Sequence, residues 1–404
     1  MNKYTDLFNQ IMALPVFDTH THLETGYRQP HEGLYARSFF DICDYFWFKR
    51  ELIAVGYHKG AEVDPTSLDA ATELHASLQE MRNTVWARTV MQAMENLFGI
   101  RPDSPQRILE LSEVMSKSVE NRQWGLQVCD KIGIQNTVMG PGGGSKETRV
   151  DVDVLGDRIV RVPIFQLAGK FVPGYDENNP ECYQHVDEIK ASLKTIVDSY
   201  ITQGWKTVRV NWLFHPDAEK SKQKDFTPEE LKDRANLDQY FGHFLLECLQ
   251  EHGFSIQVFF GGGSKGPENN PLHVPRLNGI FERYPGLKFE LFSMAELSSM
   301  DMVQAARIYP NVYPGGMWWY TFRPSIYEMN MRYRVEALPP SRCTFVASDA
   351  RCIEWSYIKI LLIKTVMTRF FHDQIEKGWL DEDAALFTAR HWLHDTAASL
   401  YLPK

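Results

Sequence analysis

Several things are missing from this sequence, and each absence narrows the answer. No apolar run approaches the roughly 18 residues that mark a membrane-spanning helix. There is no basic excess: 43 Lys and Arg against 52 Asp and Glu give a net charge of −9, which speaks against nucleic acid or an anionic membrane as the main partner. The six cysteines (Cys43, Cys129, Cys182, Cys248, Cys343, Cys352) contain no CxxC pair, so they read as reduced thiols and not as a zinc knuckle or disulfide frame. Residues 1–6 lack the apolar stretch of a signal peptide, and a cytoplasmic protein is expected. Low-complexity tracts and fixed-period repeats are absent too.

What is present looks globular. The chain has 404 residues, 44% hydrophobic and 24% charged, which excludes disordered and fibrous classes. A chain this long buries about three quarters of its unfolded surface and needs no staples. Aromatic residues make up 13%, enough for a large core or a ring-lined pocket. Eight β-like runs stand out, at 16–23, 135–139, 158–165, 207–214, 255–260, 287–294, 311–319 and 342–349. Helix-period segments lie between them, clearest at 186–202, where Ile189, Leu193, Ile196, Val197 and Tyr200 form one stripe. Others cover 231–252, 275–284, 295–309, 353–377 and 382–402. Eight alternating units predict an α/β fold, a closed (β/α)8 TIM barrel running as a single domain over 1–404. The rhythm breaks once, at 24–133, a mainly helical insertion with long helix-like runs at 67–98 and 105–131. Insertions in a barrel fall in its loops, so this segment is expected to cap the catalytic mouth.

The sharpest local signal is Asp18-Thr19-His20-Thr21-His22 at the end of the first strand-like run. Strand side chains repeat with period two, so His20 and His22 point the same way and can share one divalent metal. The plainer reading is two satisfied histidines. Asp18 is placed to orient a histidine ring. At the far end, 345–349 runs apolar residues into Asp349 where the last strand should stop. In a closed barrel the eighth strand neighbours the first, which brings Asp349 to face the histidines as a ligand and a proton carrier. The alternative makes Asp349 a helix N-cap.

This ordered set resembles the amidohydrolase superfamily. Further motifs resemble its uronate isomerase branch, to which glucuronate isomerase belongs. Tyr45-Phe46-Trp47 is similar to that family's YxW motif and Phe98-Gly99-Ile100 to its FGI turn. Gly316-Met317-Trp318-Trp319 is similar to its strand-seven tryptophan pair, and Asp349-Ala350-Arg351 to its Asp-Ser-Arg. The resemblance implies aldose–ketose isomerisation of an open-chain hexuronate or related sugar acid through an enediol. It implies one divalent ion on His20, His22 and Asp349; zinc suits this set, and manganese or iron would tolerate it. Asp349 would shuttle a proton, Tyr45 would act as a phenol in proton transfer or binding, and Arg351 would steady negative charge. Trp318, Trp319, Arg209, Gln166 and Lys170 would contact substrate. For Tyr45 and the tryptophans the plain alternative is core packing, and for Arg351 a solvated helix start.

The substrate end departs from the family. Gln166 stands where a carboxylate-gripping arginine is expected, with Arg161 and Lys170 nearby. Val208-Arg209-Val210-Asn211 replaces an acid and a histidine, and Phe259-Phe260 replaces another histidine. The missing strand-five and strand-six histidines argue against two metals. A mononuclear hydrolase of amidohydrolase or lactonase type, or a decarboxylase, is the alternative, with His215 as its base. Two GGGSK segments, at 142–146 and 261–265, are flexible turns or anion cradles in which Lys146 or Lys265 replaces the absent arginine. A catalytically silent binding barrel is the non-enzymatic reading. Oligomeric state is open, a homo-oligomer included.

Overall fold

A computed structural model describes residues 3–23, 34–60, 63–140, 153–165, 167, 172–176, 178–210, 222–260, 274–293, 298–316 and 323–403. The fold is mixed α/β with parallel strands, arranged as two compact units. One comprises Met1–Val160, Tyr320–Glu328 and Val346–Arg390; the other comprises Arg161–Trp319, Met329–Phe345 and His391–Lys404.

In the first unit, β1 (Val16–Asp18) pairs in parallel with β2 (Ile134–Met139), beside which lies β3 (Ile159–Arg161). All three residues of β1 are buried, as expected of a parallel strand covered on both faces. On its other side the chain continues beside 346–350: Thr19 N–H donates to Val346 O (2.9 Å), Asp349 N–H to His20 O (2.8 Å) and His22 N–H to Ala350 O (2.8 Å). The expected strand at 342–349 therefore lies where it should, but it forms no regular ladder. The Asp18 carboxylate takes the Ser348 N–H (2.8 Å), and Asp349 turns into the left-handed region at φ 54°. The first of these takes an N–H that a continuous strand would have used in its ladder.

The described residues between β1 and β2 are mainly helical, and the helix starts follow from capping. Ser38, Ser67, Thr84 and Ser104 each accept a backbone N–H of the first turn, opening helices Phe39–Cys43, Leu68–Glu80, Val85–Phe98 and Pro105–Ser118. Helices Phe46–Ala54 and Trp124–Ile132 complete the set. The run at 67–98 is thus two helices, because the Thr84 hydroxyl restarts the ladder at Ala87 N–H; the run at 105–131 is likewise broken between Ser118 and Trp124.

Helix Ile353–Glu376 is apolar nearly all round and packs against Lys3–Ala13, Val85–Phe98 and Trp124–Ile132. Its Lys364 ammonium is buried and donates to Met12 O (2.9 Å), Leu14 O (2.7 Å) and Ile132 O (2.8 Å). One cation thus caps the ends of the two helices that feed β1 and β2. Gly133, at φ 86°, sits in the same corner, where an added Cβ would lie 2.7 Å from Leu14 O. Helices Lys3–Ala13 and Pro324–Ala337 were not expected from the sequence pattern.

In the second unit, β4 (Ile164–Phe165), β5 (Thr207–Val210), β6 (Ser255–Phe260), β7 (Lys288–Ser293) and β8 (Val312–Pro314) form a parallel sheet in chain order. Helices Val186–Thr202, Arg234–Glu251, Asn278–Arg283 and Ser298–Ile308 carry the crossovers, as βαβ units require. The expected run at 158–165 divides into β3 and β4. A row of polar residues crosses the sheet in register, Arg209 beside Gln257 beside Glu290. Glu290 accepts from Thr344 Oγ1 and Tyr401 OH, and Gln257 Nε2 donates to the same tyrosine oxygen. Burial pushes the Glu290 carboxyl up to about 7 despite those bonds.

Candidate metal centre and active site

His20 and His22 follow β1, and period two does place them together: their rings lie 4.9 Å apart between centroids, nearly edge to face. The intervening threonines hold the segment from the opposite face. Thr19 Oγ1 donates to Val346 O (2.8 Å) and Thr21 Oγ1 to Val138 O (2.7 Å), so the histidine-bearing chain is pinned on both flanks. Asp349 meets the pair from the neighbouring segment. Its Oδ1 lies 3.2 Å from His20 Nε2 and 3.1 Å from His22 Nε2.

Those spacings fit one metal ion. Bonds of about 2.0–2.2 Å at tetrahedral to octahedral angles separate neighbouring donor atoms by roughly 3 Å. Among the described residues, His20, His22 and Asp349 form a group whose ligand atoms all lie within 4.8 Å of one another. Asp18 Oδ2 is buried with no hydrogen-bond partner, but it does not belong to that converging group. Burial pushes the Asp18 carboxyl up to about 6. Asp18 Oδ1 holds the Ser348 backbone, so this residue ties the two ligand-bearing segments together.

The Asp349 carboxyl is buried, which by itself would raise it. The hydrogen bonds from His20 and His22 and the charge of Lys359 outweigh that and hold it well below the usual carboxylate range. Its φ of 54° is a strained choice for a side-chain-bearing residue, tolerated best by Asp and Asn, and such outliers gather at functional sites.

Tyr45 is buried at 2% exposure, its ring stacked on Trp86 (6.0 Å) and tilted against Trp355 (4.3 Å). The ring packs in the core, and its hydroxyl faces the Asp349 side of the site. Its hydroxyl reaches Asp349 O (3.2 Å) and Asp349 Oδ2 (3.4 Å) and accepts from Lys359 Nζ (2.6 Å). Burial, then the Asp349 charge, raise the phenol well above its ordinary value, so it stays a proton donor. Arg351 is half-buried, its guanidinium 6.0 Å above the Phe46 ring, and its charge acts on both Tyr45 and Lys359.

Five expected residues, His20, His22, Tyr45, Asp349 and Arg351, therefore come together within the first unit. Arg209 is placed on β5 of the second, buried, with Nε on Gln257 Oε1 (3.2 Å) and its guanidinium 4.7 Å above the Phe259 ring. Gln166, Lys170, Trp318 and Trp319, like Lys146, Lys265 and His215, lie outside the described residues. Sequence reasoning missed Lys359. Its signal was a lone lysine at the centre of the apolar run 353–363, where a fully buried cation needs a partner.

No protein-family model matches the chain, and no curated protein matches it in sequence. Solved structures do match. A uronate isomerase from Bacillus halodurans aligns at TM-score 0.67 and 15% identity, over 99% of this chain and 97% of its own. One from Thermotoga maritima aligns at 0.69 and 16%, over 99% and 97%. A provisionally named metal-dependent hydrolase from Lactobacillus casei aligns at 0.63 and 10%, over 98% and 96%. The chain shares the mixed α/β fold of these enzymes over 98–99% of its length.

Proposed function

We propose that the protein is a metal-dependent aldose–ketose isomerase acting on a hexuronate or related open-chain sugar acid through an enediol. One observation carries the reading: the two oxygens of Asp349 face different partners. Oδ1 lies between the histidine nitrogens, and Oδ2 faces the Tyr45 phenol. A single carboxylate thus serves a metal with one oxygen and a proton with the other.

A divalent cation held by His20, His22 and Asp349 would supply Lewis acidity toward the carbonyl oxygen. Zinc suits the donor set, and manganese or iron would tolerate it. Asp349 Oδ2 takes the proton from C2 of the aldose and returns it to C1, while the hydroxyl proton at C2 passes to the former carbonyl oxygen. Tyr45, kept protonated by burial, donates its hydrogen bond to Asp349, the residue that carries the proton. Arg351 steadies the enediolate as it forms. The proposal includes the closed eight-stranded barrel, a helical cap over its mouth, and a cytoplasmic setting with a small sugar acid as partner.

Proton NMR in D2O tests it, with D-glucuronate and D-galacturonate and metal-analysed protein. The C2 proton signal should disappear as ketose appears, and a chelator should stop both. If metal is present and neither sugar exchanges, the reading fails for these substrates. A second reading, a mononuclear hydrolase or decarboxylase on a small carboxylated substrate, is favoured by the structural likeness to the Lactobacillus casei protein. Turnover of lactones or esters by protein silent on uronates would select it.

A further inference from the structure

We propose that Lys359 is a positioning residue of this site: its ammonium fixes the direction of the Tyr45 hydroxyl so that the phenol proton is presented to Asp349. Lys359 sits on helix Ile353–Glu376 and is 1% exposed. Its Nζ lies 2.6 Å from the Tyr45 oxygen. An ammonium has donors only, so the tyrosine oxygen must accept from it. The phenol's own proton then has to go elsewhere. Within reach are Asp349 O at 3.2 Å and Asp349 Oδ2 at 3.4 Å.

The ring itself has no freedom to choose. Trp86 and Trp355 clamp it, which leaves the hydroxyl rotor as the one soft coordinate. Lys359 removes that last freedom. It also stands 4.8 Å from the centre of the Tyr45 ring and 5.9 Å from that of Trp86, so the aromatic pair holds the cation in place as the cation holds the hydroxyl. With Oδ1 of Asp349 taken by His20 and His22, the backbone O and Oδ2 of that same residue are the oxygens within reach of the phenol proton. The consequence is one defined arrangement, with Lys359 donating to Tyr45 and Tyr45 to Asp349, where a phenol without the lysine would sample both directions. The hydrogen-bond part of this inference rests on geometry alone; its kinetic part rests on the isomerase reading.

The test uses zinc-loaded protein labelled with [4-13C]tyrosine. The Tyr45 resonance is identified among those of the 17 tyrosines by its loss in Tyr45→Phe. Lys359→Met removes every donor at similar length, and Lys359→Gln keeps a neutral one. The expected result is a shift of the Tyr45 resonance alone in Lys359→Met and a smaller shift in Lys359→Gln. No movement in either variant overturns the proposal, as does an equal movement of all tyrosines; if Lys359→Met does not fold, Lys359→Gln is judged by the same criterion. On whichever uronate the wild type isomerises, Lys359→Met should lower kcat about ten- to a hundredfold with KM within about twofold, because a misdirected donor harms the transition state and not the bound ground state. An unchanged kcat also overturns it. If the wild type isomerises no uronate, it is the isomerase reading that fails, and the resonance still decides the role of Lys359.

Discussion

Glu290 offers a quantitative check on the buried polar row of the second unit. The perturbation is Glu290→Gln, which locks the side chain in a neutral form of nearly the same shape. Burial raises the carboxyl from an ordinary 4.5 to about 7. The folded state therefore holds a proton that the unfolded state has released between these values. The stability this contributes is fully present below about pH 4.5 and is lost as pH rises through about 7. At 1.36 kcal/mol per pH unit the loss is about 3 kcal/mol. Urea unfolding of wild type and variant, followed from about pH 5 to pH 8, measures it, because titrations common to both proteins cancel in the difference. The wild type should lose most of those 3 kcal/mol relative to Glu290→Gln over that range. Infrared difference spectra should show a protonated carboxyl band in acid that vanishes above neutrality and is missing from the variant. A stability difference that stays flat with pH would refute the argument, since Glu290 would then be ionised in the fold throughout.

Two further outcomes follow from the first unit. Asp349→Asn keeps a residue that tolerates φ 54° but removes the anionic ligand, so zinc at a concentration about a hundredfold above the wild-type Kd, which stabilises wild type by about 2.7 kcal/mol, should raise the thermal midpoint of the variant little. An equal zinc-dependent rise in both proteins would remove Asp349 from the metal site. Lys364→Met leaves three carbonyl oxygens without their shared donor and should cost about 3 kcal/mol or more, read by denaturant unfolding; a loss under about 1 kcal/mol would mean water replaces the ammonium without penalty.

The convergence of His20, His22 and Asp349 was legible in the sequence, for local reasons. Period two on an extended chain sets His20 beside His22, and an apolar run ending in an acid points to Asp349. Tyr45 and Arg351 were legible only through resemblance, since a tyrosine between two aromatic residues otherwise reads as core. Lys359 was missed although it stands alone in an apolar run, because a lysine on a helix ordinarily reaches solvent and its burial depends on which elements wrap that helix. The strand expected at 342–349 failed for a similarly non-local cause: its apolar pattern was right, but a side chain 330 residues away takes the Ser348 N–H. The division of 67–98 into two helices was written in Thr84, yet the apolar period runs across the break and hides it. Arg209 carried a substrate role by alignment; its strand neighbour Gln257 holds its Nε.

The pairing of His20 with Asp349 spans 329 residues of chain, and it bears on how the protein is made. Synthesis at about 5–20 residues per second places roughly a quarter of a minute to a minute between the two ends of the centre. Until Asp349 leaves the ribosome, two histidines wait without their carboxylate, and β1 has an open flank on the side where 346–350 will lie. A product truncated before that point lacks Asp349 and also the helices Ile353–Glu376 and Glu382–Arg390 of the first unit. On the proposed reading, metal loading would mark a chain extended past Asp349, and a nascent one would need its exposed strand edge shielded for the whole interval.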